Sequence, residues 1–399
     1  MDQTADSSIA KAPREPTGQA PMVLQVLPHL GPGGTARGAI EVATAQTEAG
    51  WTALVASAGG DGERALAKIG ARHIALPLDS KNPVVMGRNT GRLARLITDE
   101  GVDLVHARSR APAWSAHAAA RRTGRGFVTT FHGTYGHGSW LKRRYNRIMT
   151  RGDRVIAISN HIAEHIRAVY GIDDDRLRVI HRGVDPELFD PGKVGAERLI
   201  ALASQWRLAD GMPVIMMPAR LARWKGHTVL IEALARLGRE DLRCLLIGDT
   251  QGHRRYRREL ERLIARRGLV GVVHLLDHCR DMPAAYMLAD AVVSASTEPE
   301  AFGRVVIEAQ AMGRPVVVSD HGGGRETVIE GQTGWTVRPG DPDALAAGLA
   351  AALALSSAER EAVVKAANAH VRRHYTTPRM CAQTLATYRE VLAMAAPKT

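Results

Sequence analysis

Two doubly wound α/β domains of similar size, each on a parallel sheet, are what this chain predicts. Three observations carry that reading. The chain has 399 residues, more than one hydrophobic core ordinarily serves. From Met22 onward short β-branched runs alternate with longer helical patterns, and such alternation implies a parallel sheet covered on both faces. The alternation pauses once, at "GVDPELFDPGK" (183–193), where Gly, Pro and Asp mark an irregular connection, and then restarts.

The elements follow in order. "MVLQVLP" (22–28) reads as the first strand, followed by a glycine loop and a helix up to Gly50. "TALVAS" (52–57), "RHIALPL" (72–78), "DLVHAR" (103–108), "FVTTFH" (127–132), "RVIAIS" (154–159) and "LRVIHR" (177–182) complete the first set of strands, with helical segments between them. The second set is "PVIMMPA" (213–219), "RCLLIGD" (243–249), "VVHLLD" (272–277), "AVVSAS" (291–296), "RPVVVSD" (314–320) and "TGWTVRP" (333–339). Helices close the chain from "DPDALAAGLAAALA" (341–354), with Asp341 as N-cap and Pro342 at the first helical position. The expected division is a disordered tail over 1–20, a first domain over 21–190, a second over 191–375, and a C-terminal helix over 376–399 that packs back toward the first. Doubly wound sheets bind ligands at the carboxyl ends of their strands. If the two halves face each other, those ends line one cleft, so loops just after strands claim the functional reading first.

Composition bounds the partners. Hydrophobic residues make up 45% and charged residues 24%, as in ordinary soluble domains, while aromatics are only 4%. The net charge of +12 points to an anionic partner: nucleic acid, a membrane surface or phosphorylated small molecules. Cys244, Cys279 and Cys381 are widely spaced with no CxxC, which favours a reducing compartment over a zinc site or disulfide framework. The N-terminal stretch has no apolar core of signal-peptide length. No apolar run approaches the ~20 residues of a membrane span. A cytoplasmic location is expected, with a membrane surface as a candidate attachment.

The chemistry gathers in a few loops. "TEPEAFGRVVIEAQAMG" (297–313) follows a strand, and Gly303 opens a helix that runs to about Met312, with Gly313 as its stop. A helix N-terminus offers free N–H groups and partial positive charge, which suits phosphate. Val305, Val306, Ile307, Ala309, Ala311 and Met312 make this helix apolar on most sides, hence buried. Glu308 on such a helix is costly unless hydrogen-bonded, and two ribose hydroxyls would satisfy it. The competing arrangement is an Arg304–Glu308 i,i+4 ion pair. Glu300, before the helix, can reach the hydroxyls of a sugar, while the amides of Gly303, Arg304 and Val305 can take the phosphates. "ARLARWKGHTVLIEAL" (219–234) sets Arg220 and Lys225 after a strand, and two cations there suit a departing phosphate, whose charge develops in the transition state.

Three further loops fit weaker patterns. "HLGPGGTARG" (29–38) offers Gly33 and Gly34, whose bare backbone lets a ligand approach. It also fits the dinucleotide fingerprint G-x-G-x-x-A. The acidic residue expected ~20 positions on is replaced by Ser57 and Ala58, and a dehydrogenase is rejected. "TTFHGTYG" (129–136) ends a strand at His132, a residue that equally suits a hydrogen-bonded histidine at the domain edge; His106 and Arg108 follow another strand as candidate cleft residues. "SDHGGGRETV" (319–328) puts a glycine run before Glu326.

Together these segments, over about residues 22–395, resemble the GT-B-fold retaining glycosyltransferases of family 4. The E-x7-E motif of Glu300 and Glu308 looks like that of the family's C-terminal half. The 219–226 stretch resembles its G-R-L-x-x-x-K-G segment, with Ala219 in place of the usual glycine; Gly33–Gly34 resembles its Gly-Gly turn; 322–326 resembles its Gly-Gly-x-x-E loop with one extra glycine. The resemblance implies His132, Arg220, Lys225 and Glu300 as catalytic residues, His132 lying near the reacting carbon. It implies Gly33, Gly34, Phe302, Gly303, Arg304, Val305 and Glu308 as donor-binding residues. It further implies a nucleotide diphosphate sugar as substrate, a lipid-linked or saccharide acceptor, no metal or other cofactor, and bacterial envelope polysaccharide or lipopolysaccharide biosynthesis. A sugar-nucleotide epimerase on the same fold is the alternative within enzymes. A basic nucleic-acid-binding protein fits the charge, but the chain lacks a binding motif and has few aromatics for stacking.

"SWLKRRYNRIMTRGDR" (139–154) carries Lys142, Arg143, Arg144, Arg147, Arg151 and Arg154 with no acid before Asp153. At helical spacing Leu141, Tyr145, Ile148 and Met149 share a face, with Trp140 beside it. The expectation is an amphipathic basic helix able to lie on an anionic membrane; the competing one is a domain helix with its apolar face in the core.

Overall fold

The computed structural model describes residues 20–136, 138–250, 252 and 254–395. The expected tail over 1–20 lies, but for Ala20, outside them. The chain divides into two compact units: one takes residues up to Ile156, Val169–Arg178 and Cys381 onward, the other Ala157–Ala168 and Val179–Met380.

The first unit holds β1 (Met22–Val26), β2 (Thr52–Ser57), β3 (Arg72–Ala75), β4 (Leu104–Ala107), β5 (Gly126–Phe131), and all but the last residue of β6 (Arg154–Ala157) and of β7 (Leu177–Val179). They form one sheet in the order β3-β2-β1-β4-β5-β6-β7. The central strand β1 pairs in parallel with both neighbours, Val23 standing opposite Ala53 and Leu104. The second unit holds β8 (Val214–Pro218), β9 (Arg243–Ile247), β10 (Val273–Leu276), β11 (Ala291–Ser294), β12 (Val316–Ser319) and β13 (Trp335–Val337), in the order β10-β9-β8-β11-β12-β13. Here Val292 stands opposite Met216 and Val316.

All thirteen strands read from the sequence are present, most of them ending earlier than the apolar run. The reason is burial on both faces. Every residue of β4, β5, β8, β11 and β12 is buried, so these strands read as continuous apolar runs rather than alternation. The run continues into the loop beyond the last ladder bond, where the chain still packs but no longer pairs. Chain order reverses between β1 and β4 and again between β8 and β11. Loops after such switch points are where doubly wound sheets hold ligands.

The observed division at 178–179 comes ahead of the expected 190. The irregular connection belongs to the second unit because Phe189 packs on Tyr286, ring centroids 6.1 Å apart. The C-terminal helix Thr377–Ala395 crosses the division. Within the first unit its Glu390 accepts from Arg154 Nε at 2.8 Å and Arg178 Nη2 at 2.5 Å.

Two expectations need correction. His106 and Arg108 are not exposed to a cleft but are 0% and 2% exposed. His106 Nδ1 meets the Tyr388 hydroxyl at 2.6 Å and its Nε2 the Thr130 hydroxyl at 2.7 Å, while Arg108 Nε donates to Gln25 Oε1 at 2.6 Å. Burial lowers the Arg108 pKa against the pull of Tyr388, and burial pushes the Tyr388 phenol far above its usual value. A buried polar network holds these side chains: both ring nitrogens of His106 are engaged, and Arg108 is tied to Gln25 through Nε.

The second correction concerns 139–154. It is not one amphipathic helix but a helix over Trp140–Asn146 followed by a 3-10 turn over Arg147–Thr150. Thr129 Oγ1 donates to the Met149 carbonyl at 2.5 Å and draws that turn against β5. The expected apolar face is therefore split: Ile148 and Met149 are 4% and 0% exposed, whereas Trp140 and Leu141 are 70% and 61% exposed.

Tyr388→Phe removes the hydroxyl that His106 Nδ1 meets at 2.6 Å, a buried hydrogen bond. It is expected to destabilise by about 1–3 kcal/mol, measured by urea unfolding. A stability equal to wild type would refute this account of the network.

Candidate active site

The site is assembled in the second unit from loops at the carboxyl ends of β8, β11 and β12. These loops touch backbone to backbone. Gly226 closes the 219–226 loop at φ +80°, and a Cβ there would lie 1.8 Å from the Ala295 carbonyl oxygen. Thr297 N donates to the Trp224 carbonyl at 2.7 Å and ties the same pair of loops. From the other side, a Cβ on Gly322 or Gly323 would lie 2.6 Å from the Glu300 backbone or 2.4 Å from the Ala301 oxygen. The Gly323 amide donates to the Glu300 carbonyl at 2.8 Å. The glycine run before Glu326 thus serves close packing against the Glu300 loop. His321 Nε2 meets the Ser296 carbonyl at 2.8 Å.

That packing brings together side chains 75 positions apart. Lys225 Nζ donates to Glu300 Oε1 at 2.7 Å, with side chains 15% and 12% exposed. The Ser296 hydroxyl donates to the same oxygen, and the Ser294 hydroxyl lies 3.5 Å from it. No described residue donates to Glu300 Oε2, and Lys225 has no second acceptor among them. The sequence reading gave Lys225 to a phosphate and Glu300 to a sugar as separate tasks. The structure joins them in one ion pair that keeps unused hydrogen-bonding capacity on both sides. Trp224 lies under both cations, its ring centroid 4.3 Å from Lys225 Nζ and 5.9 Å from the exposed Arg220 guanidinium. His227, next in the chain, is buried, and burial pushes its imidazole down to about 4. It is neutral at pH 7 and anchors the loop toward the Ala219 carbonyl, 3.4 Å away.

The helix after β11 spans Arg304–Ala311, with Gly303 as N-cap at φ +82°. Its N-terminus therefore points from the Glu300 loop, beside Gly324, whose Cα a Cβ at Gly303 would meet at 3.2 Å. Arg304 and Val305 are half-buried there. Glu308 is 8% exposed, and the Tyr286 hydroxyl donates to its Oε2 at 3.0 Å. Tyr286, from the helix Met282–Met287, was not legible as a partner, because nothing in its local pattern points to residue 308. Phe302 is 3% exposed, its ring 6.1 Å from His181 and 6.0 Å from Tyr375, so only its backbone can face a ligand.

Glu326 has a structural assignment. Its carboxylate accepts from the backbone amides of Asn160 (2.9 Å) and His161 (2.6 Å), from Asn160 Nδ2 (3.0 Å) and from His181 Nε2 (3.2 Å). It thereby caps the helix Asn160–Tyr170 from another segment. The neighbouring Ser159 hydroxyl donates to the Ala301 carbonyl at 2.7 Å, in the Glu300 loop. Burial of Glu326 opposes ionisation, but the hydrogen bonds from His181 and the two amides outweigh it and hold its pKa below the usual range.

The remaining predicted residues lie in the first unit. Gly33 is the N-cap of the helix Gly34–Glu48, and a Cβ on either glycine would meet nothing within 4 Å. Open space, not packing, surrounds both. His132 is half-buried, one residue beyond β5. Among the described residues no three His, Cys, Asp or Glu side chains gather as a metal site.

Two parallel-sheet α/β units with a charged loop set at a switch point are the architecture of the GT-B glycosyltransferases. Residues 32–188 match the family described as Glycosyltransferase Family 4, and residues 201–370 that described as Glycosyl transferases group 1. The chain belongs to the family 4 glycosyltransferases. A glycosyltransferase from Rickettsia africae ESF-5 is similar at 37% identity and a TM-score of 0.88, over 94% of this chain and 99% of that one. HepE of Anabaena, solved with UDP and glucose, is similar at 25% identity and a TM-score of 0.81, over 92% and 99%. A D-inositol 3-phosphate glycosyltransferase of Xylanimonas cellulosilytica is 35% identical over 211 residues, 52% of this chain and 50% of that protein. The chain spans about half the length of the first curated relatives it matches.

The Glu326 contacts set a pH dependence. A carboxyl whose folded pKa is depressed contributes stability that is present above its unfolded value, here 4.5, and lost as pH falls through the folded one. Glu326→Gln is therefore expected to be less stable than wild type at pH 7, with the difference shrinking below about pH 4.5. Urea midpoints across that range check it. A difference that does not change with pH would refute the assignment.

Proposed function

We propose that this enzyme is a retaining glycosyltransferase whose donor is a nucleotide diphosphate sugar. The observation that carries the reading is the Lys225–Glu300 pair with its unused capacity, set beside the N-terminus of Arg304–Ala311. Lys225, with Arg220 and the helix amides, stabilises the diphosphate as negative charge grows on the leaving oxygen. Glu300 Oε2 accepts from a donor sugar hydroxyl. Glu308, which accepts from Tyr286, also accepts from the ribose. His132 contacts the sugar near the reacting carbon. The acceptor hydroxyl attacks on the face of the departing phosphate, and the leaving oxygen takes the proton, so no separate base is required. HepE binds UDP and glucose, which makes a uridine diphosphate sugar the first donor to test.

The acceptor is a saccharide or polyol, free or lipid-linked. The curated relatives are named for an inositol phosphate acceptor, which supports a phosphorylated one. The pathway we infer is envelope polysaccharide or lipopolysaccharide assembly at the cytoplasmic face of the membrane. No helix among the described residues is long and apolar enough to cross a membrane. The support for surface attachment is the exposed Trp140 and Leu141 next to Lys142, Arg143 and Arg144, an apolar wedge with a basic collar.

The donor reading is tested by thermal shift with a panel of nucleotide sugars, then by turnover and product anomer. Glu308→Ala should weaken nucleotide diphosphate binding by roughly 1–3 kcal/mol. Lys225→Ala should cut turnover by ~10²-fold or more, and activity should survive EDTA. Unchanged nucleotide affinity in the first variant would refute the ribose contact; near wild-type turnover in the second would refute the diphosphate site.

Attachment is tested by cosedimentation. Wild type should bind vesicles containing phosphatidylglycerol in a salt-sensitive way and leave pure phosphatidylcholine vesicles unbound. Arg143→Gln/Arg144→Gln/Arg147→Gln should bind less with its nucleotide affinity intact. Equal cosedimentation of the two proteins would remove the membrane from the proposal.

A further inference from the structure

In the first unit, beyond β5, a cavity of about 460 Å³ is lined by Arg110, Gly136, Leu141, Lys142, Tyr145 and Asn146. That volume is within the range that holds a small-molecule ligand. Its polar groups are fixed before any ligand arrives. The Arg110 guanidinium lies 4.3 Å from the centroid of the Tyr135 ring, and its Nη1 donates to Asn146 Oδ1 at 3.0 Å. Asn146 is 1% exposed and its Nδ2 donates to the Gly136 carbonyl at 3.0 Å. One buried amide thus holds both the arginine and the loop wall. The Tyr145 ring is propped by Trp114, centroids 6.1 Å apart.

Three donors line this wall, and Arg110 spends only its Nη1 contact on Asn146. Neither Arg110 nor Lys142 forms an ion pair with a carboxylate among the described residues. The Tyr145 hydroxyl is buried without any hydrogen-bond partner. A buried hydroxyl without an acceptor is costly, and a ligand in the cavity is the acceptor this one calls for. A planar guanidinium, an ammonium and a phenol set at different points of one wall complement an anion with several acceptor oxygens, which is a phosphoryl group. The aromatic flank of Tyr145 and Trp114 suits a sugar or polyol ring beside it.

We infer that this cavity is an acceptor subsite that takes a phosphoryl group through Arg110, Lys142 and Tyr145. The inference rests on the glycosyltransferase reading for the word acceptor, but the anion site stands on its own geometry. The phosphoryl group belongs either to a soluble sugar or polyol phosphate or to a lipid headgroup, and the test separates them.

Binding of inorganic phosphate and of D-glucose 6-phosphate is measured by titration calorimetry on the whole protein held saturated with UDP, beside Lys142→Gln and Tyr145→Phe. Lys142 is exposed and Tyr145→Phe keeps the ring, so both variants should fold, and UDP affinity in each serves as the control. A soluble acceptor predicts that wild type binds both probes and that each variant weakens them about tenfold. A lipid-borne phosphate predicts no binding of either probe. Wild type should then bind vesicles of phosphatidic acid in phosphatidylcholine, and Tyr145→Phe, which carries no charge change, should bind them several-fold less. Probe binding that is equal in wild type and both variants, or no binding to probes and vesicles alike, overturns the inference. Loss of UDP binding in wild type would instead refute the donor reading and leave the phosphate result interpretable, with the titrations repeated without UDP.

Discussion

The second unit depends on one constraint: three loops must touch with no side chain between them. A Cβ at Gly226 would stand 1.8 Å from the Ala295 oxygen, and one at Gly323 2.4 Å from the Ala301 oxygen. Any substituent there drives the loops apart by more than the tolerance of a hydrogen bond. The 2.7 Å contact between Lys225 and Glu300 is therefore a consequence of a glycine beside Lys225 and of glycines on the loop after β12. Because the loops are wedged by backbone, the charged groups are placed before a ligand binds and need not reorganise when charge develops.

Hydrogen-bonding capacity separates structural carboxylates from ligand-facing ones more cleanly than burial does. Glu390 is filled by Arg154 and Arg178, and Glu326 by two amides, an asparagine and a histidine. Both clamp segments that are distant in sequence. Glu300 is no more exposed than they are, yet its Oε2 has no donor among the described residues. A partly buried ion pair is weak evidence for stability, since desolvation offsets its attraction. Retaining one with an open acceptor makes sense where a ligand completes it.

How much of this was legible follows from how local each signal is. The inner strands could be read because burial on both faces makes them continuous apolar runs, and the helix Arg304–Ala311 because Gly303 and Gly313 bracket it. Glu300, Glu308, Arg220 and Lys225 stood out as polar residues at strand ends or on an apolar helix. Their partners did not. Tyr286 reaches Glu308 from a neighbouring helix, Ser296 looks like any small loop residue, and Trp224 carries no motif. His106 and Arg108 misled for the same reason: the residue that explains His106, Tyr388, lies 282 positions away. The segment 139–154 misled because helical spacing cannot register that Thr129 pulls one turn of it against the sheet.

The capacity argument also gives the excess charge a location. Many arginines of the second unit face carboxylates, among them Arg198 with Asp281, Arg223 with Glu259, Arg267 with Glu232 and Arg338 with Asp341. In the first unit Arg110, Lys142, Arg143, Arg144, Arg147 and Arg151 have no such partner among the described residues. Like charges gathered without counter-charge raise the energy of the folded state. A surface under no functional demand loses little by gaining an acid nearby, since exposed pairs cost and return little. Arg110 and Lys142 line the cavity, and Arg143, Arg144, Arg147 and Arg151 follow in the segment that also exposes Trp140 and Leu141; on the proposals above, the counter-charge is carried by what binds there. The net charge of +12 is then a property of that face more than of the molecule as a whole.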